Sequence, residues 1–536
     1  MKNQYYSVYY CAFVVAFGAF ILGLDAALIS GTVKFVGEEF ALTDLEIGTM
    51  VSAPGLAVLF ALMFTGYACD KIGRKKTLIG ISFVYIFSAI ISTFAPNYET
   101  LVIARFVGGL AFTSLSVAAM YIGEIAPAEK RGRLVSLVQI SIVIGFSAAY
   151  FANYALLQLS QSDASWVHAI GLNENTWRWM LGLEIVPAII WFVLLFSIPQ
   201  SPRWLVMKGQ YDKAKDVLSA FNKGKCAEKQ LEEIKESIAH VHIDSSFFSA
   251  FKKLFEGRLR KAVIIAFTFA VVQQVTGINA ILFYAPTVFE QIGVGTDAAF
   301  LNAVIVGIVG VVATTLAVIY IDKIGRRPMV IGGLCTATIC LFICYLGFND
   351  ATYMLTSAFV LEYQQTHAIQ GLEVLSNQVF QSDVAFKQAL LTVFNETTLR
   401  THESALLENA ANINVWVIIV GILGFIAAFN FTIGPVLWVL FSEIFPTDVR
   451  GVAIPTFAFI SSMVSYLVQQ FFPYLLTHLG AAYLFLFYAV CGVLGLMLLY
   501  RLMPETKNKT IEEIELLLSG KKSEESTSTL STIKEA

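Results

Sequence analysis

The sequence predicts an all-α membrane protein of twelve transmembrane helices, arranged as two six-helix halves with both termini in the cytoplasm. Three observations predict it: apolar runs of spanning length, a one-sided distribution of basic residues, and loop motifs that each occur twice. Of the 536 residues, 57% are hydrophobic, and the mean hydropathy is +0.70. Soluble domains sit near roughly 45–50% apolar. The net charge of −3 argues against a nucleic-acid partner.

A crossing needs about 20 apolar residues. Twelve such runs lie near 8–30, 48–68, 77–96, 100–123, 134–157, 179–197, 263–286, 299–320, 328–348, 414–441, 452–476 and 481–502, here spans one to twelve. Span one is too long for a cleaved signal peptide and no clear small-residue cleavage site follows it, so it reads as a retained helix. It carries Asp25, within Gly23-Leu24-Asp25-Ala26-Ala27; Arg105 sits early in span four and Glu184 within span six. A lone charge at the bilayer centre costs at least about 2.5–3.5 kcal/mol, so all three are functional suspects. A fixed Asp–Arg pair serving structure alone would also satisfy the electrostatics. The segment 198–262 holds 13 Lys and Arg, and Leu231, Ile234, Ile238 and Val241 recur at helical spacing, predicting an amphipathic helix under the bundle.

Span seven contains Gln273-Gln274-Val275-Thr276-Gly277-Ile278-Asn279. Three amides and a helix-loosening glycine at membrane depth require partners or a wet cavity. Amides both donate and accept, so they suit vicinal hydroxyls; they also bond packed membrane helices to one another. The loop 349–412 is polar with helical apolar spacing and predicts a small helical cap, because structureless loops of that length are uncommon. The tail after Thr510, ending in Ser, Thr, Glu and Lys, reads as disordered.

With the N-terminus inside, the inside segments hold 31 of the 36 Lys and Arg, the outside segments only Lys34, Arg178, Lys387 and Arg400, and span four Arg105. That bias sets the orientation. Asp70-Lys71-Ile72-Gly73-Arg74-Lys75 recurs as Asp322-Lys323-Ile324-Gly325-Arg326-Arg327, and Glu124-Ile125-Ala126-Pro127 with Arg131-Gly132 recurs as Glu443-Ile444-Phe445-Pro446 with Arg450-Gly451. Acid-to-acid separations of 54 and 121 positions differ by 67, close to the 64 residues of the outside loop. Two parallel repeats, one carrying an insertion, account for both, with the working site at mid-depth between them. The halves are then 1–197 and 263–348 with 413–503; 198–262 is a cytoplasmic linker, 349–412 an extracytoplasmic insertion and 504–536 a cytoplasmic tail.

These motifs, with Gln200-Ser201-Pro202-Arg203-Trp204-Leu205, Gly434-Pro435-Val436-Leu437-Trp438 and Pro504-Glu505-Thr506-Lys507, resemble the sugar porter family of the major facilitator superfamily over nearly the whole chain. The resemblance implies the major facilitator fold. It also implies sugar-binding positions at Gln139, Gln273, Gln274, Asn279 and Trp438, and a cytoplasmic latch of Asp70, Arg74, Glu124, Arg131, Asp322, Arg326, Glu443 and Arg450. Topology alone would also keep such basic loops inside. Asp25, Arg105 and Glu184 look like the positions of proton-coupled bacterial members, many facilitative members carrying Asn at the first. Gln200 stands where the family usually has Glu. Gly310, Ser462 and Phe283 replace the Asn, Trp and Tyr common in relatives, so the sugar stays open among pentoses, hexoses and cyclitols.

The expectation is a plasma-membrane importer of a monosaccharide (the inner membrane in a Gram-negative bacterium), working by alternating access. It would use H⁺ as coupling ion, no other cofactor, no metal and no obligate protein partner. A facilitator is the nearest alternative. A transporter-like sensor is another, though such proteins usually carry long tails and only about 30 residues follow Pro504. Nothing suggests an enzyme: the six His are scattered, no nucleophile–base set is visible, and no ATP-binding motif occurs. The seven cysteines show no zinc spacing and no disulfide is expected.

Overall fold

The computed structural model describes residues 7–222, 227–239, 247–255, 259–367, 369–509 and 511–519. Among the described residues, eleven helices have the length and hydropathy of membrane spans, from Val8–Glu39 to Val449–Leu502. The last has 54 residues, about twice the length one crossing can use at 1.5 Å per residue. Gly480 (φ 80°, ψ 163°) interrupts it, which separates spans eleven and twelve and completes two sets of six.

The repeated loop motifs fold alike. Span two ends at Ile72 and span three begins at Arg74, with Gly73 alone between them at φ 89°; Gly325 joins spans eight and nine at φ 103°. That left-handed geometry suits glycine. A Cβ would stand 2.2 Å from the Gln200 amide at Gly73 and 2.8 Å from the Glu505 carboxylate at Gly325, so both turns need glycine on space as well as on φ. Elsewhere polar residues start helices by accepting backbone N–H groups. Thr43 and Glu46 form a capping box at Asp44–Ile72, and Asn97 accepts from Thr100 N at 2.9 Å.

Spans seven and ten are discontinuous. Span seven runs as Arg260–Val275, Ile278–Phe283 and Ala285–Glu290, broken at Gly277 with φ 82°. A Cβ at Gly277 would stand 2.5 Å from the Tyr488 ring. Gly277→Ala therefore meets both strain and overlap, and a loss of about 1–3 kcal/mol is expected, read as a lowered Tm of the purified protein. Span ten breaks at Thr432, between Val415–Phe431 and Ile433–Ile444.

Between spans six and seven lie the helices Pro202–Met207, Tyr211–Asn222, Ala227–Ala239 and Phe247–Leu254. Leu231 and Ile234 pack with Trp204, Ala214 and Leu218; the Ile238 side chain and Val241 lie outside the described residues. The 349–412 insertion forms a cap of three helices, Ser357–His367, Asp383–Leu390 and Glu396–Ala410, tied at its base by a two-residue antiparallel pair, Thr352–Tyr353 with Ala411–Asn412. Its own core includes Tyr353, Phe386, Leu390 and Leu406. Asn395, the first residue of an N-x-Thr triplet, caps the third helix through Thr398 N at 2.7 Å. The tail expectation needs correction: Ile511–Ser519 is a helix, with Ile514 and Leu518 buried against the bundle core. Their i,i+4 spacing was diluted by the polar residues that follow.

At the cap end one apolar core crosses between the halves, joining Leu28, Ile47 and Val51 to Ile281, Phe289 and Phe472. At the other end the first half keeps a core of its own around Val15, Tyr85, Tyr121 and Trp191. Among the described residues, the apolar core common to both halves includes this cap-end seam.

Candidate functional site

The break at Gly277 turns the amides of span seven onto span eleven. Gln274 Nε2 donates to Gln273 Oε1 at 3.2 Å and to Ser461 Oγ at 3.0 Å. Asn279 Nδ2 donates to Gln274 Oε1 at 2.8 Å and to Ser465 Oγ at 2.7 Å. Gln469 Nε2 also reaches Ser465 Oγ, at 2.8 Å. Gln273, Gln274 and Asn279 are therefore one network, and the structure adds Ser461, Ser465 and Gln469, which sequence reasoning missed. The signal was their i, i+4, i+8 spacing on one face of span eleven. The bonds are neutral, so hydroxyls of a ligand can replace them at little net cost.

Gln139 and Trp438 stand apart from this network. Gln139 is half-buried on span five. Trp438 lies 42% exposed just past the break in span ten, edge-on to Phe441 at 6.1 Å. An exposed indole on a transmembrane helix offers a flat apolar face and one N–H donor. Gly310 has open space, with nothing nearer to a Cβ than Asn430 Nδ2 at 3.8 Å.

Asp25 and Arg105, 3% and 2% exposed, form a direct ion pair between spans one and four. Glu184, 5% exposed, adjoins both at the boundary between Thr176–Gly182 and Ile185–Ser197. Tyr85 of span three is fully buried beside the same groups, held edge-on to Trp191 at 6.1 Å. Asp25 Oδ2, Arg105 Nε and Nη2 and the Tyr85 hydroxyl are buried without a hydrogen-bond partner. Two carboxylates, one guanidinium and a phenol thus share one buried site. Such a site is costly to hold still, and the addition or removal of one proton rebalances it. Tyr85 gave no signal in the sequence, where it is one aromatic residue among many.

The motif acids and arginines pair within each half, in matching constellations. Arg74 meets Glu124 at 2.9 Å and Asp70 at 3.3 Å; Arg326 meets Glu443 at 2.9 Å and Asp322 at 3.0 Å. The Ser201 hydroxyl donates to Glu124, as Thr506 does to Glu443 at 2.6 Å. Arg450 donates to the Phe445 carbonyl at 3.0 Å; the Arg131 side chain lies outside the described residues. Glu505 accepts from Arg326 N and Arg327 N, both at 3.1 Å, whereas Gln200 accepts from Lys75 N at 2.9 Å. A carboxylate opposes the helix dipole better than an amide does. Gln200→Glu is accordingly expected to stabilise the first half by about 0.3–1 kcal/mol, seen as a small rise in Tm.

At the cap end polar contacts join the halves directly. Lys34 reaches Glu290 at 3.6 Å and Thr296 at 2.9 Å. Tyr150 donates to the Leu282 carbonyl at 2.6 Å, and Gln470 bonds Ser52 at 2.8 Å and Thr49 at 3.0 Å. The cap adds Arg400 to Asp44 at 2.8 Å and Lys387 to Glu403 at 2.7 Å. Burial pushes the Glu403 carboxyl up, but Lys387, Arg400 and Lys34 outweigh it and hold it below the usual carboxylate range. Its contribution is therefore complete above the ordinary value of about 4.3 and is lost as pH falls through the lower folded value. Amide protection factors in Asp383–Leu390, taken relative to the intrinsic exchange rate at each pH, are expected to be unchanged between about pH 6 and 8 and to fall below the carboxylate range.

Twelve crossings in two repeated halves, with broken spans carrying polar side chains at mid-depth, define a membrane transporter of the major facilitator fold rather than an enzyme. A family model described as sugar (and other) transporter matches residues 11–364 and 388–518, and the chain belongs to that family. It is 32% identical to the arabinose-proton symporter of Bacillus subtilis, over 93% of this chain and 92% of that protein. It is 30% identical to the D-xylose-proton symporter of Escherichia coli K12, over 96% and 97%. Its structure is similar to a partially occluded inward-open conformation of the xylose transporter XylE from E. coli. There the TM-score is 0.71 and the identity 26%, with 94% of this chain and 99% of that one covered.

Proposed function

We propose that the protein takes up a monosaccharide together with a proton by alternating access, in the plasma membrane, with its basic loops in the cytoplasm and its cap outside. The observation that carries this reading is the buried Asp25–Arg105 pair with Glu184 beside it, in a chain whose relatives include symporters named for arabinose and xylose. With Asp25 ionised, Arg105 ties span one to span four. A proton arriving on Asp25 cancels that attraction and leaves the guanidinium to Glu184. Span one, which also carries Lys34 of the cap-end closure, is then free to shift against its neighbours.

Sugar hydroxyls replace the mutual bonds of Gln273, Gln274 and Asn279, and Gln139 and Trp438 close on the ligand from the facing spans. The two Arg–Glu constellations act as latch parts: each is complete within its half here, in keeping with a state closed at the cap and open at the other end. Closure of the basic-loop end brings them, with Arg131 and Arg450, against the opposite half.

Reconstituted protein should accumulate labelled D-xylose, L-arabinose or D-glucose when the outside is acid. Equal uptake with and without the gradient would instead mark a facilitator. No saturable uptake of any of the three would overturn the reading. Weakening the cap-end closure by Lys34→Gln is expected to raise modification of a single cysteine placed at Leu282, because Lys34 holds both Glu290 and Thr296 across the seam.

A further inference from the structure

A cavity of about 550 Å³ lies beneath the cap. Its floor is the outer ends of spans one, two and seven, its wall the outer end of span eleven, and its roof the cap helices Asp383–Leu390 and Glu396–Ala410. That volume is in the range of sites built for small organic ligands, roughly 300–1,000 Å³. In this conformation Lys34–Glu290 and Tyr150–Leu282 shut the way inward, so the chamber is separate from the amides of span seven.

The lining selects a ligand class. Lys34, Lys387 and Arg400 are committed to Glu290, Glu403 and Asp44 respectively, which disfavours an anion, and Glu38 stands outside those pairs. Glu38 Oε1 is buried in the lining without a hydrogen-bond partner, and as an acceptor it asks for a donor. Tyr474 and His478, also lining it, stack at 4.0 Å and 24° into a flat aromatic platform. Acceptor oxygens beside an aromatic face suit a neutral polyhydroxylated ring, whose hydroxyls donate while its C–H face lies on the platform. Val384 and Lys387 of the roof fall within 365–387, which the family model does not match.

We infer that the chamber under the cap is an outer saccharide-binding site, able to hold a sugar while the central site faces the other side. This rests on the sugar-transport reading. It adds a site that the amide network does not supply.

The test is equilibrium dialysis of the purified full chain with radiolabelled D-xylose, L-arabinose and D-glucose. Two equivalents of one sugar are expected for the unaltered protein. At sugar concentrations that just saturate the unaltered protein, Gln274→Ala should weaken one equivalent about five- to 150-fold and leave the other, Tyr474→Ala should weaken the other, and the combination should weaken both. Gln388→Trp, at an exposed lining position, plugs the chamber without touching a buried pair and should also remove one equivalent, which guards against misfolding of Tyr474→Ala. Complete loss of binding in Gln274→Ala alone, or one equivalent in every chamber variant and in the unaltered protein alike, overturns the outer site and leaves the transport reading standing. Absence of binding of all three sugars to the unaltered protein overturns both.

Discussion

Asp25→Asn is expected to abolish uphill uptake while leaving exchange of labelled sugar across the membrane. One charge moving through about 100 mV is worth about 2.3 kcal/mol, enough for about fifty-fold accumulation. Asparagine is close in shape, but its amide carries no charge to exchange with a proton. Arg105 is then left permanently free to face Glu184, and the coupling step has no switch. In proteoliposomes the internal-to-external ratio of the transported sugar should fall from well above one to one, whatever the imposed gradient. The fixed-pair alternative predicts another outcome: if the pair served structure alone, Asp25→Asn would lower Tm, and the protein that still folded would keep concentrating sugar.

Gln274→Ala is expected to have the second-largest effect. Gln274 links Gln273 to Asn279 and reaches Ser461, so its loss unpairs its neighbours and, on the proposed sugar-binding role, also removes bonds to the sugar. A buried group left unsatisfied costs about 1–3 kcal/mol, and affinity at the central site should fall about five- to 150-fold. The amides could instead act only to bond spans seven and eleven. In that case Tm would fall and the half-saturation constant for uptake would stay constant. Ser465→Ala separates the same alternatives more gently, because Ser465 accepts from both Asn279 and Gln469.

The spans, the repeat and the insertion were legible because each is written in one dimension, as runs of apolar residues, a charge bias and motif spacing. Asp25 and Arg105 stood out individually for a related reason: ionised side chains are rare where water is absent. That they would meet, 80 positions apart in the chain, depended on helix packing, and the family resemblance supplied that expectation.

Hydroxyls were the poorest signal. A serine or threonine in a membrane helix commonly bonds its own preceding turn, as Ser82 and Thr65 do here. Nothing in composition separates those from Ser461 and Ser465, which receive bonds from another helix. Tyr85 was hidden in the same way among the aromatic residues. The chamber under the cap was invisible because it forms between segments far apart in the chain, from Lys34 to His478. In the tail, the buried Ile514 and Leu518 belong to a helix too short for a periodicity argument to find.

Proton movement driven by sugar is the most direct measure of the central claim. Protein is sealed in liposomes loaded with a pH-sensitive dye, with equal pH on both sides, and D-xylose, L-arabinose and D-glucose are added outside in turn. Entry of the transported sugar with a proton should acidify the lumen, and Asp25→Asn should abolish that signal while labelled sugar still exchanges. Sugar entry at full rate with the lumen pH unmoved would contradict a coupled proton and leave facilitated diffusion in its place.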